Sequence, residues 1–194
     1  MEFTERRYSV LLVSSSPKFN ESMLALLPES RFYPVAAVSD VSSARRRLLE
    51  SKYDIVIINA PLPDDFGTRF AIDACSQSGT VALLLAKSDV YDEMEAKLTC
   101  QGVFTLAKPT SALLLNQSLK WLVSARERLR RMEEKATSVE EKMEEIRLVN
   151  RAKWLLIEQL KMTEAEAHRH IEKQAMDRCT TRREIALGII KTYA

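Results

Sequence analysis

The 194-residue chain has no apolar run near the roughly 20 residues needed to cross a bilayer. Its opening, Met1-Glu2-Phe3-Thr4-Glu5-Arg6-Arg7, lacks the apolar stretch of a secretory signal. Cysteine is scarce. Cys75, Cys100 and Cys179 are odd in number, far apart and without CxxC spacing, which argues against a disulfide framework or a zinc site and for a reducing cytoplasm. With only four glycines there is no Gly-rich loop to cradle a phosphate. The two histidines, His168 and His170, are two apart on an expected helix, so they point to different faces and cannot share a metal. No Ser/His/Asp or Cys/His set suggests itself, so the expectation is a protein that is not an enzyme and has no metal or cofactor. What remains is 46% hydrophobic and 29% charged, an ordinary globular composition. The length suits one domain plus a smaller appendage, or two small domains.

The net charge of +2 says little, but its distribution says more. From Arg147 onward ten basic residues face six acidic ones, so the C-terminal piece is basic and the preceding part near neutral. Such a patch suits a phosphate-rich partner, although a charge-rich helix can also be merely a solvated face.

The first ~110 residues alternate apolar runs with amphipathic stretches. Strands are expected at Ser9–Val13, Val35–Val38, Asp54–Asn59, Thr80–Leu85 and Val103–Leu106. Helices are expected at about Phe19–Leu27, Val41–Glu50, Arg69–Ser76 and Asp89–Gln101. Runs apolar on both faces belong in a parallel sheet covered on both sides. Right-handed crossovers then give a small doubly wound α/β domain with a five-stranded parallel sheet.

From about Thr110 to Lys161 no strand or strong turn signal intervenes. Leu122, Leu129, Ala136, Met143 and Asn150 recur every seven residues, with Ala125, Met132, Val139, Ile146 and Lys153 three after each. This a/d pattern predicts a coiled coil and therefore a homodimer. Asn150 at an a position either fixes the register of a parallel pair or marks the end of the seam, and Lys153 is poor core. Two short helices follow. Thr163-Glu164-Ala165-Glu166 and Thr181-Arg182-Arg183-Glu184 read as capping boxes, opening helices through about Asp177 and Lys191. The expected core of the resulting three-helix unit is Leu155, Leu156, Leu160, Ala167, Ile171, Ala175, Ile185, Ile189 and Ile190. The domain expectation is 1–110, 111–150 for the last α/β helix running into the coiled coil, and 151–194 for the three-helix unit.

The five strands, the Asp54-to-Gly67 stretch with its Pro63-x-x-x-Gly67 ending, and Lys108-Pro109 resemble a response-regulator receiver. In that family an acidic pair after strand one binds Mg²⁺ and an Asp ending strand three accepts phosphate. A Ser or Thr after strand four and a Lys after strand five complete the site. Here Ser14 and Ser15 stand at the acidic pair, Asn59 at the acceptor, and Leu85 or Ala86 at the hydroxyl position. Only Lys108 is retained. Hydroxyls are poor Mg²⁺ ligands and an amide cannot form an acyl phosphate. The resemblance therefore implies a pseudo-receiver in which Lys108 keeps a structural role and donates to Asn59. Asp64 and Asp65 are read as turn residues capping the next helix.

Arg151-Ala152-Lys153, Ala167-His168-Arg169, Ala175-Met176 and Ile185-Ala186 fall at the spacing of the ANTAR domain, an RNA-binding module of bacterial transcription antiterminators. The resemblance covers about Ile146 to Tyr193. Trp154 departs from the small residue common there, and Glu172 from a common Arg. The resemblance implies binding to paired leader-RNA stem-loops that compete with a terminator. Candidate contacts are Lys153, Arg169, Lys173, Arg178, Arg182 and Arg183, with His168, His170 and Tyr193 as stacking or hydrogen-bonding groups. A dimer would bind two hairpins with avidity. The alternatives are a protein-interaction adaptor whose pseudo-receiver binds a sensor partner, and a DNA-binding regulator. The latter usually carries a helix-turn-helix of different spacing.

Overall fold

The computed structural model describes residues 6–76 and 79–193, so the Met1–Glu5 part of the opening segment lies outside the described residues. The chain divides into two compact units, residues 1–133 and 134–194. The first alternates β1 (Tyr8–Val13), α1 (Pro17–Ala25), β2 (Phe32–Val38), α2 (Val41–Glu50), β3 (Ile55–Asn59), α3 (Thr68–Ser76), β4 (Val81–Lys87), α4 (Ser88–Thr99) and β5 (Phe104–Lys108). The strands are all parallel, in the order β2-β1-β3-β4-β5.

The period of two along each strand builds two cores. Leu11, Val13, Val56, Ile58 and Leu84 point to one face, where Val41 and Ala44 of α2, Phe70 and Ala74 of α3 and Leu98 of α4 cover them. Val10, Leu12, Ile55, Ile57, Leu83 and Leu85 point to the other, under Met23 of α1 and Leu115, Leu119, Leu122 and Val123 of the helix after β5. This is why β1, β3 and β4 read as unbroken apolar runs. β2 begins at Phe32, three residues before the expected start, with a register shift between Tyr8 and Val10 in its pairing with β1.

The helix after β5, α5 (Ala112–Leu160), is 49 residues long and contributes to both units. The seam expected from Leu122 needs correcting at its start. Leu122 is fully buried in the α/β core and Ala125 is half-buried against the same cluster, so the sheet has already taken both. From Leu129 the a/d residues are open: Met132, Ala136, Val139, Met143, Ile146 and Asn150 are all exposed. The division of the chain correspondingly falls after Glu133, within α5, rather than at residue 110 or 150.

Asp64 and Asp65 also depart from expectation. Asp64 does not serve the next helix. Its carboxylate accepts from the Val41 and Ser42 N–H groups (2.9 and 3.0 Å), so it caps α2 beside the N-cap Asp40, which accepts from Ser43 N. Asp65 accepts from the N–H of Gly67, whose φ of 88° needs a residue without Cβ. At the opposite end of the sheet, Asp54 accepts from Ser9 N and Ser9 Oγ and forms an ion pair with Arg126 (2.7 Å). Arg126 in turn reaches Glu133, and Tyr8 donates to Glu127. The sequence pattern gave no sign of this polar clamp, since its members lie far apart in the chain.

The second unit packs the end of α5 with α6 (Glu164–Asp177) and α7 (Arg182–Tyr193). Its buried core is Ala152, Leu156, Ala167, Ile171, Ala175, Ile185, Ala186 and Ile189. Four of these are alanines, which lets the helix backbones approach closely. Leu155 and Leu160, expected in the core, are not in it: Leu155 is half-buried outside the cluster and Leu160 is exposed, while Ala152 and Ala186 are. Both halves of the Thr163/Glu166 capping box are formed, and Glu184 N donates to Thr181 Oγ1 at the start of α7. Cys179 (φ 48°) ends α6, with Thr180 N donating back to Ala175 O in a Schellman-like closure.

Candidate nucleic-acid interface and the receiver-like site

In the order β2-β1-β3-β4-β5 the connections reverse between β1 and β3, and the crevice at the carboxyl ends of those strands is the usual ligand position in such a sheet. Ser14 follows β1, Asn59 ends β3 and Lys108 ends β5. Lys108 Nζ donates to Asn59 Oδ1 (2.7 Å) and to the Ala60 carbonyl. Asn59 Nδ2 donates to Ser14 Oγ (3.0 Å), which also accepts from Ser16 N (3.2 Å). One hydrogen-bonded chain thus ties β5 to β3 to β1, with Ser14 and Asn59 both buried. A carboxamide suits the middle position because it accepts and donates at once. Burial, and then the neighbouring charge of Lys87, hold the Lys108 ammonium below the usual lysine range. Leu85 and Ala86 are buried and bring no hydroxyl, and Ser15 is exposed. Among the described residues no group of three His, Cys, Asp or Glu is arranged to hold a metal.

In the second unit the six basic candidates divide into two sets. Arg169 and Lys173 lie four apart on the face of α6 away from Ala167, Ile171 and Ala175, with exposed Met176 beside them. Arg178 caps the same helix. All three are exposed, without an ion pair among the described residues. Lys153, Arg182 and Arg183 are engaged: Lys153 with Glu164 (3.1 Å), Arg182 with Glu145 (3.1 Å) and Arg183 with Glu144 (3.3 Å). The Arg182 and Arg183 pairs are exposed and worth at most about 1 kcal/mol each, whereas the Lys153 side chain is only 15% exposed. A groove of about 450 Å³ brings Lys153, His168 and Arg182 together with the seam residues Ile146 and Asn150. His168 pairs with Glu172 (3.2 Å), and His170 Nε2 meets the Gln174 amide (2.9 Å). Tyr193 is exposed at the end of α7. Outside these candidates, Trp154 is 70% exposed on α5. It falls at an e position beside the a/d seam, so periodicity did not single it out.

In the second unit, residues 137–190 match the family model described as the ANTAR domain. The ANTAR match starts nine residues before the Ile146 suggested by sequence spacing, within the exposed part of α5. Over 183 residues, 94% of this chain and 89% of the relative, the protein is 26% identical to the transcriptional regulatory protein PdtaR of Mycobacterium tuberculosis. The first unit has the receiver fold. It is similar to the signal receiver domain of an HD domain-containing protein from Pseudomonas fluorescens (24% identity, TM-score 0.58, 68% of this chain and 97% of that one). It is also similar to a response regulator receiver domain protein from Clostridium thermocellum (17% identity, TM-score 0.55, 63% and 98%). Among the described residues no helix is long and apolar enough to cross a membrane.

Proposed function

We propose that the protein is an RNA-binding transcription antiterminator that stabilises leader-RNA stem-loops against a terminator, as a homodimer, with a receiver domain that takes no phosphate. The ANTAR match carries this reading, and the regulatory relative of nearly equal length supports it. The exposed cations Arg169, Lys173 and Arg178 supply phosphate contacts. Lys153, Arg182 and Arg183 join them by exchanging acidic partners for phosphates. Dimerisation uses α5 from Leu129 to about Asn150, where a 49-residue helix leaves its apolar seam uncovered.

The receiver reading rests on the Lys108–Asn59–Ser14 chain. Phosphoryl transfer needs a carboxylate nucleophile and a metal to neutralise oxygen charge, and the amide of Asn59 and the hydroxyl of Ser14 standing at the strand ends support the reading that this site supplies neither. A signal then enters through a sensor partner or through protein level. Exposed Leu113, Leu114 and Trp121 on α5 are apolar surface that such a partner, or the adaptor alternative, would use.

The test is titration of the full chain with a tandem-hairpin leader RNA and with the same sequence as duplex DNA at one salt concentration. RNA should bind the tighter, and removal of Arg169, Lys173 and Arg178 together should abolish the preference. Equal affinity for RNA and DNA, or no loss in the triple variant, would transfer support to the adaptor.

A further inference from the structure

The outward face of α5 near its end holds charged and aromatic residues that the three-helix core does not use. Taking 100° per residue, Arg147, Asn150, Arg151, Trp154 and Glu158 lie opposite the core residues Ala152 and Leu156. The two arginines precede Trp154 by seven and three residues, and Asn150 precedes it by four. All are exposed, and neither arginine has an ion pair among the described residues. Lys161 follows the helix directly and is also exposed, without an ion pair among the described residues. Beside Trp154 lies a recess of about 320 Å³, which it lines with Asn150, Lys153, Ile157 and Glu164. An indole left 70% exposed on one face with two arginines that have no ion pair among the described residues is the combination that single-stranded nucleic acid uses: an aromatic face for a base and positive charge for the phosphates either side.

We infer that Trp154 is a stacking platform for one unpaired base of the bound RNA, with Arg147 and Arg151 presented to the adjoining phosphates. The inference rests on the RNA-binding reading above and deepens it, since paired stem contacts alone would leave Trp154 idle. A parallel pair of helices leaves this face accessible, because Trp154 flanks the a/d seam rather than lying in it.

The chain has two tryptophans, Trp121 and Trp154. In full-length protein carrying Trp121→Phe, emission comes from Trp154 alone. Titration with a hairpin RNA containing an unpaired loop should quench it, and the same RNA with the loop replaced by a closed duplex should not. Affinity for the looped RNA should fall roughly 5- to 150-fold in Trp154→Ala and Trp154→Leu and stay near wild type in Trp154→Phe. Because the side chain is exposed, circular dichroism of the Ala variant should match wild type. If wild type binds RNA but Trp154 emission does not change, or the Leu variant binds as tightly as wild type, the stacking role is wrong while the RNA reading stands. Emission that shifts with protein concentration in the absence of RNA would assign Trp154 to the dimer contact and overturn the inference. If no RNA binds wild type at all, the RNA reading itself fails.

Discussion

At Asn59 a carboxamide accepts from Lys108 and donates to Ser14 at the same moment, which a carboxylate could not do. Intact-mass measurement after incubation with acetyl phosphate and Mg²⁺ should therefore show no adduct. Asn59→Asp alone should not create one, because Ser14 and Ser15 would still stand where metal ligands are needed. A hydroxylamine-labile adduct on wild type would contradict this. Lys108→Met should cost about 1–3 kcal/mol in urea unfolding, since it leaves the Asn59 oxygen without its charged donor. Asp64 makes a separate prediction. The Val41 N–H, and then the N–H and hydroxyl of Ser42, hold its carboxyl below the usual range. A depressed carboxyl stabilises the fold above its unfolded value of about 3.9, and that contribution disappears as pH falls through the folded value. Asp64→Asn should lower the thermal midpoint at neutral pH and make the loss of stability below about pH 4 shallower. Unchanged acid sensitivity would show that the cap carries no pH dependence. The amide at 59 and the lysine at 108 were legible in the sequence because the receiver pattern fixes which positions meet at the strand ends. The target of Asp64 was not, because capping α2 from the β3–α3 loop is a long-range bond with no local signature.

Among the elements, α5 shows how far a repeat can be read. Over two turns a period of 3.5 cannot be told from one of 3.6, so Leu122 and Ala125 fit the heptad and the sheet-facing stripe equally well. The sheet takes both, and the heptad's own residues begin at Leu129. Leu129→Glu combined with Val139→Lys should give monomers by light scattering and leave the α/β unit's unfolding unchanged. A wild-type chain that stays monomeric at roughly tens of micromolar would refute the seam. The four-alanine core of the ANTAR unit makes the second element-scale prediction. Ala152→Leu should destabilise that unit by about 1–3 kcal/mol, because close-packed helices have no room for the added side chain. The strands, α2 and the Thr163 box were legible because apolar periodicity and capping chemistry are local. Leu155 and Leu160 were misassigned to the core because apolar character does not reveal which side of a three-helix unit a leucine faces.

At the scale of the whole molecule, a receiver fold in which Ser14, Asn59 and Lys108 are hydrogen-bonded to one another precedes a unit that matches the ANTAR family model and carries exposed cations. RNA affinity should fall steeply with salt, and each phosphate-contacting residue replaced by Ala should reduce the slope by up to about one unit. The central claim is that this chain rescues transcription through RNA without phosphate. Its most direct test is single-round transcription in vitro on a leader template whose tandem hairpins overlap a terminator. The account predicts that added protein raises read-through to the same extent with and without acetyl phosphate, and that the Arg169, Lys173 and Arg178 triple alanine variant does not raise it. Read-through that never rises above the protein-free level, or rises only when acetyl phosphate is present, would contradict it.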